Sequence, residues 1–234
     1  MFKKYLLIIN LTVVSLLLFT TSIYAAGVNA WPEFYAQAPQ IKIVDPMAVV
    51  VGSMPEGQNT LTIELTDVAL YSGHICPSMA FGYILTKKAL DALYPDALPV
   101  RGQIRVAAMA ASDLLDVASY ITGARSFYGR AEINAGDLVV DPSLKSKVPG
   151  RYIMIFQRKD NGKTVQAVFN KFKMIPPAQV KEIKAFLQKM LAGTASAQEK
   201  KEKWALLDAL AKKVLLETPE GVLEVNPLKG YKFP

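Results

Sequence analysis

His74 and Cys76 are the only histidine and the only cysteine in 234 residues, and they stand one residue apart in Tyr71-Ser72-Gly73-His74-Ile75-Cys76-Pro77-Ser78-Met79. Imidazole and thiolate are both good ligands for zinc and related transition metals. Downstream, Phe81, Ile84, Leu85, Lys88, Ala89 and Leu93 recur at helical spacing. Pro77 suits the first turn of that helix, where its missing N–H costs little. Cys76 is therefore expected at a helix N-terminus, whose free N–H groups and dipole favour a thiolate. On residue type alone a lone cysteine is more often a small buried hydrophobe, and a lone histidine a satisfied loop or core residue. The pair on one turn between Gly73 and Pro77 sets a metal corner level with that plainer reading. Two further chemistries use the same turn. With Met79 and Met109 the donors become softer and suit Cu(I) or a haem iron, although core filler is the commoner role for both methionines and there is no CxxCH for covalent haem. Alternatively Cys76 is a nucleophile and His74 its base, but no orienting acid or oxyanion hole can be named from the sequence.

Ser-Gly-His-Ile-Cys-Pro-Ser, continuing through Ala80, Gly82 and Tyr83, resembles the signature of the formylmethanofuran dehydrogenase E-subunit family, which typically reads His-Gly-His-x-Cys-Pro-Gly. A second segment resembles the family at Ala110-Ala111-Ser112-Asp113-Leu114-Leu115-Asp116-Val117 and at Ile121-Thr122-Gly123-Ala124-Arg125. The similarity runs from roughly residue 61 to residue 174. It implies metal binding, commonly of zinc, at His74 and Cys76. It also implies departures: the family's first histidine falls on Ser72, its glycine after Pro on Ser78, and its two later cysteines on Ser112 and Ala124. Ser72, Met79, Ser112 and Asp113 are then cofactor-binding candidates around a degenerate His/Cys site. The resemblance supplies no catalytic role, because redox chemistry in the parent complex belongs to its other components.

The elements that must position these residues follow from periodicity and punctuation. Residues 60–65 alternate like a strand, with Leu61, Ile63 and Leu65 on one face, and lead into the His/Cys turn. Residues 101–107 read as another strand. Ser112 or Asp113 is a good N-cap for a helix from Leu114 to about Ile121, ended by Gly123. If these strands are neighbours, the loops at 72–78 and 110–113 lie side by side, each opening a helix. The pocket between them is expected to be lined by His74, Cys76, Met79, Ser112 and Asp113, with Tyr83 and Tyr128 as walls. Asp113 and Asp116 share one helix face, where a cap and a surface carboxylate are the plain assignment. Arg101, Arg105, Arg125 and Arg130 flank the region, each most simply solvating an edge.

Met1-Phe2-Lys3-Lys4 followed by an apolar run to Tyr24 and Ala25-Ala26 predicts a secretory signal peptide over residues 1–26. Cleavage after Ala25 removes 25 of 234 residues, and with them Lys3 and Lys4, lowering the net charge from +7 to +5. An exported, periplasmic protein without a stable membrane span after cleavage is expected; a retained anchor is the rival. A single cysteine excludes an internal disulfide. The positive charge is dispersed, without a dense Lys/Arg block among aromatics, which argues against nucleic acid as a partner. A metal ion or a small ligand is the expected partner.

Residues 27–59 read as an N-terminal arm, with short strands at 41–44 and 48–51. Residues 138–140 form a short strand. Residues 151–158 and 163–169, joined by Asp160-Asn161-Gly162, are the clearest hairpin. Pro176-Pro177 opens a helical hairpin whose stripes include Phe186 and Leu187, then Trp204, Leu210 and Val214. Packing on the sheet is its expected role, and a homodimer contact the alternative. The reading is an α+β fold: a mixed or antiparallel sheet with helices packed on it, organised as a domain over 60–175 and a helical hairpin with an irregular tail over 176–234.

Overall fold

The computed structural model describes residues 31–127 and 134–233; the expected signal peptide, Tyr128 and Arg130 lie outside these. From Phe34 onward the chain forms one unit, and it is α+β as its periodicities predict. Six helices and seven strands are described. A two-stranded antiparallel sheet joins β1 (Ile41–Val44) to β2 (Thr60–Ile63), with Ile41 opposite Ile63. The main sheet has the order β4-β3-β5-β6-β7, formed by β3 (Ile104–Ala108), β4 (Leu138–Val140), β5 (Arg151–Arg158), β6 (Thr164–Asn170) and β7 (Leu223–Pro227). β3 and β4 run parallel, and every other neighbouring pair is antiparallel.

Two stretches adopt helix where alternation pointed to strand or loop. Residues 48–51 were expected as a strand, yet Pro46–Val50 is a short helix, α1. Its start is specified locally: the Asp45 carboxylate accepts from Met47 N–H at 3.0 Å and Pro46 occupies the first turn. These signals outweigh the β preference of the valines. Likewise β2 does not enter the His/Cys turn directly, because Leu65–Ser72 forms helix α2. The Asp67 carboxylate accepts from Glu64 N–H at 2.7 Å, half of a capping box. Leu65, Val68 and Ala69, at helical spacing, are then buried. α2 ends at Gly73, which takes a φ of +77° that costs glycine little.

Helix α3 (Pro77–Leu93) is the central element. It packs on β5–β7, on helix α4 (Asp113–Thr122) and on helix α6 (Ala197–Leu216). Phe81, Tyr83, Leu85, Leu90 and Leu93 are buried, each large side chain contributing about 1.5–3 kcal/mol by leaving water. Tyr83 was expected to wall the His/Cys pocket. Instead it is fully buried and its hydroxyl reaches Pro39 O and Ile63 O at 2.9 Å, tying α3 to the small sheet. Helix α5 (Pro177–Leu191) buries only Phe186, whereas α6 buries Leu210, Ala211, Val214 and Leu215. After α6 the chain returns to the sheet as β7, so the irregular tail begins at Leu228 rather than Asn226. Among the described residues no helix is long and apolar enough to cross a membrane.

Candidate functional site

The starts of α3 and α4 meet. Cys76 is the N-cap of α3 and Ser112 the N-cap of α4, both in extended backbone. The Cys76 thiol donates to Asp113 Oδ2 at 3.2 Å, so the expected convergence of the two loops holds. Its mechanism differs from the expected one, since β2 is not in the main sheet. The loops are brought together by packing of α3 on α4, which Gly82 makes close: a Cβ there would lie 2.9 Å from Leu114 Cα. The second loop is also fastened to the sheet. Ser112 donates to the Tyr152 hydroxyl at 2.7 Å, and that hydroxyl donates to Ala110 O. Met109 N–H donates to Ile153 O at 3.1 Å, extending the β3–β5 ladder to the loop.

Cys76 is half-buried. Burial pushes its thiol up to about 11, and the Asp113 carboxylate pushes in the same direction, while the Met79 and Ser78 N–H groups at the helix start pull it back. Burial and the neighbouring carboxylate outweigh the helix terminus, the reverse of the expected thiolate stabilisation. The folded protein holds this proton more tightly than an unfolded chain. The resulting stabilisation is complete below pH 9 and is lost as pH rises from 9 through 11. Iodoacetamide is accordingly expected to label Cys76 slowly at pH 7, with the rate rising toward pH 11. Asp113→Asn should shift that profile to lower pH. Rapid stoichiometric labelling of the wild type at pH 6, followed by mass spectrometry, would contradict it.

His74 is exposed, and its Nδ1 lies 3.2 Å from Ser72 O. A carbonyl only accepts, so in the neutral ring Nδ1 carries the proton and Nε2 keeps a lone pair. The Ser72 hydroxyl lies 2.7 Å from Val68 O and 2.6 Å from His74 O, which shapes the turn. Met79 is 3 % exposed and belongs to the core. Ala124 is buried past the opposite end of α4 from Ser112, the helix between them being ten residues, about 15 Å, long at 1.5 Å per residue. The two positions that the resemblance assigns to cysteines therefore cannot share one ion with Cys76. Among the described residues no three His, Cys, Asp or Glu side chains are grouped to hold a metal. This donor set does not form a closed four-coordinate zinc site.

Beside the Cys76–Asp113 contact is a cavity of about 350 Å³. Pro77, Ser78 and Phe81 of α3 face Met109, Ser112 and Leu114 across it, and Arg151, Tyr152, Phe169 and Lys171 come from the β5–β6 hairpin. Sequence reasoning found the two helix starts but missed the hairpin's contribution. The Pro149-Gly150 break marks where β5 begins, but nothing local reveals that β5 pairs with β3 and brings Tyr152 to Ala110. A cavity of about 410 Å³ beside Tyr71, Asp116 and Tyr120 is bordered by Arg125 and Phe127, next to the undescribed residues 128–133.

Fold and site thus define an α+β domain in which a His-x-Cys-Pro turn opens the central helix against a second helix start. The family described as FmdE, molybdenum formylmethanofuran dehydrogenase operon, matches residues 71–224, and the chain belongs to it. The match reaches into β7, beyond the limit of about residue 174 expected from the motifs. No curated protein and no solved structure matches the chain.

Proposed function

We propose that this chain is an exported, small-ligand-binding member of the FmdE family, with its ligand held between the starts of α3 and α4. The observation that carries this reading is the cavity of about 350 Å³ bounded by both helix starts. Its size and its mixture of aromatic walls with a few polar groups suit a small molecule. The pinning of residues 110–112 by Tyr152 supports a preformed site. A raised thiol whose hydrogen-bond partner is a carboxylate speaks against a cysteine nucleophile. Export to the periplasm rests on the basic and apolar start of the sequence. Native mass spectrometry of the secreted protein tests the reading. A co-purifying small molecule is expected, lost in Ser78→Trp, which fills the cavity mouth. A wild type that carries no such molecule and whose melting temperature is unmoved by a broad metabolite panel would refute it.

A second reading, a transition metal such as zinc, is favoured by the free Nε2 lone pair of His74 and by the paired Cys76 and Asp113. Water or the small ligand would have to complete the coordination. Equilibrium dialysis with zinc should then show uptake by the wild type and not by a His74→Ala/Cys76→Ala variant. Equal uptake by both forms sinks it.

A further inference from the structure

We infer that the cavity between α3, α4 and the β5–β6 hairpin binds a small organic carboxylate with an apolar body. The inference rests on the small-ligand reading and assigns its chemical class. Phe81, Leu114, Phe169 and Ile175 supply apolar lining, and among the described residues the charged side chains lining the cavity are Arg151 and Lys171. Among the described residues no acidic side chain lines it; Asp113 is turned to Cys76. The two cations arise together: Arg151 opens β5 opposite Asn170, the last residue of β6, and Lys171 follows directly, its N–H donating to Gly150 O at 2.8 Å.

Arg151 is only loosely paired, and Lys171 has no ion pair among the described residues. Arg151 Nη2 lies 3.9 Å from Glu224 Oε2, while the other oxygen of that carboxylate, Oε1, accepts from Asn170 at 2.9 Å and lies 3.8 Å from Lys173, so Arg151 shares this acid with a second cation. Lys171 is half-buried, and burial together with neighbouring Lys184 makes its charge harder to hold. The Arg151 side chain is one-third exposed, so a carboxylate in the cavity would pair with the accessible part of its guanidinium and relieve the repulsion between the lysines. A phosphate would meet the same cations but would leave the aromatic lining uncovered.

Calorimetric titration of the full chain tests this with hexanoate, its neutral isostere hexanamide, and inorganic phosphate, on the wild type and on Arg151→Gln, Lys171→Gln and Lys171→Arg. Hexanoate should bind about tenfold or more tightly than hexanamide, the equivalent of one charge-assisted hydrogen bond. Each glutamine variant should lose a similar factor, while Lys171→Arg keeps most of the affinity. The acid–amide comparison is made on the wild type, so it stands even if a variant misfolds. Equal binding of hexanoate and hexanamide overturns the carboxylate assignment and leaves the small-ligand reading intact. So does undiminished hexanoate binding by a folded Arg151→Gln/Lys171→Gln double variant. Phosphate binding in preference to hexanoate overturns the apolar body. If no compound binds, charged or neutral, this inference is overturned, and the small-ligand reading is decided by the co-purification and metabolite-panel test.

Discussion

Replacing Phe81 by alanine is expected to lower the unfolding free energy by about 4 kcal/mol, the usual range for a fully buried phenylalanine being about 3–5 kcal/mol. Phe81 is 1 % exposed and its ring stacks on Phe169 of β6 with centroids 3.8 Å apart. It therefore joins the central helix to the sheet one turn after the Cys76 cap. The loss combines removal of the ring from the apolar interior, a cavity that rigid neighbours cannot close, and about 1 kcal/mol of ring pairing. In a chain of this size that corresponds to a fall in melting temperature of roughly 10 °C. A double-mutant cycle with Phe169→Ala should recover the pairing contribution as non-additivity. A loss below about 1 kcal/mol would mean that α3 is not anchored through this contact. Because Phe81 also lines the cavity, the variant should bind apolar ligands more weakly even where it remains folded.

Gly82→Leu should cost about 3 kcal/mol, and it should act on the site as well as on stability. The position needs no unusual backbone angle; the constraint is proximity. A Cβ at residue 82 would stand 2.9 Å from Leu114 Cα and 3.3 Å from Val117 Cβ. The first of these is backbone, which no rotamer change can move aside, so α4 must shift away from α3. Gly82→Ala should be milder, since alanine regains up to about 1 kcal/mol of helix propensity against the same clash. Moving α4 also draws Asp113 from Cys76. Iodoacetamide labelling of Cys76 in a folded Gly82→Leu protein should therefore become faster at a given pH. Wild-type stability with wild-type labelling would contradict the close packing of α3 on α4.

The site was legible where chemistry and local punctuation coincide. Ser112 and Gly123 bound α4 within a residue of the expected limits, and Pro77 starts α3 immediately after Cys76. The β5–β6 hairpin was legible from its alternation and its Asp160-Asn161-Gly162 turn. What could not be read depends on contacts distant in sequence. The alternation of residues 60–65 is cut short at Ile63 because the Glu64–Asp67 cap starts a helix that buries Leu65. The α6 apolar stripe was visible, but Trp204 on it is 52 % exposed, whereas Leu210 and Val214 are the residues buried. Strand order is not local at all, so neither the pairing of β7 with β6 nor the approach of Tyr152 to Ala110 had a signature. Met79 shows the same limit: helical spacing brings it within three residues of Cys76, but its burial is set by what packs on α3.

The central claim is that one small ligand touches both helix starts at once. The most direct measurement is a ¹H–¹⁵N correlation titration of the wild-type protein with hexanoate, or with any small molecule found to co-purify. The expected result is saturable shifts of the amides at residues 76, 78–81 and 109–114 with a single dissociation constant, joined by those of Arg151 and Lys171. Saturable shifts confined to other surfaces, or changes on one helix start without the other, would contradict it.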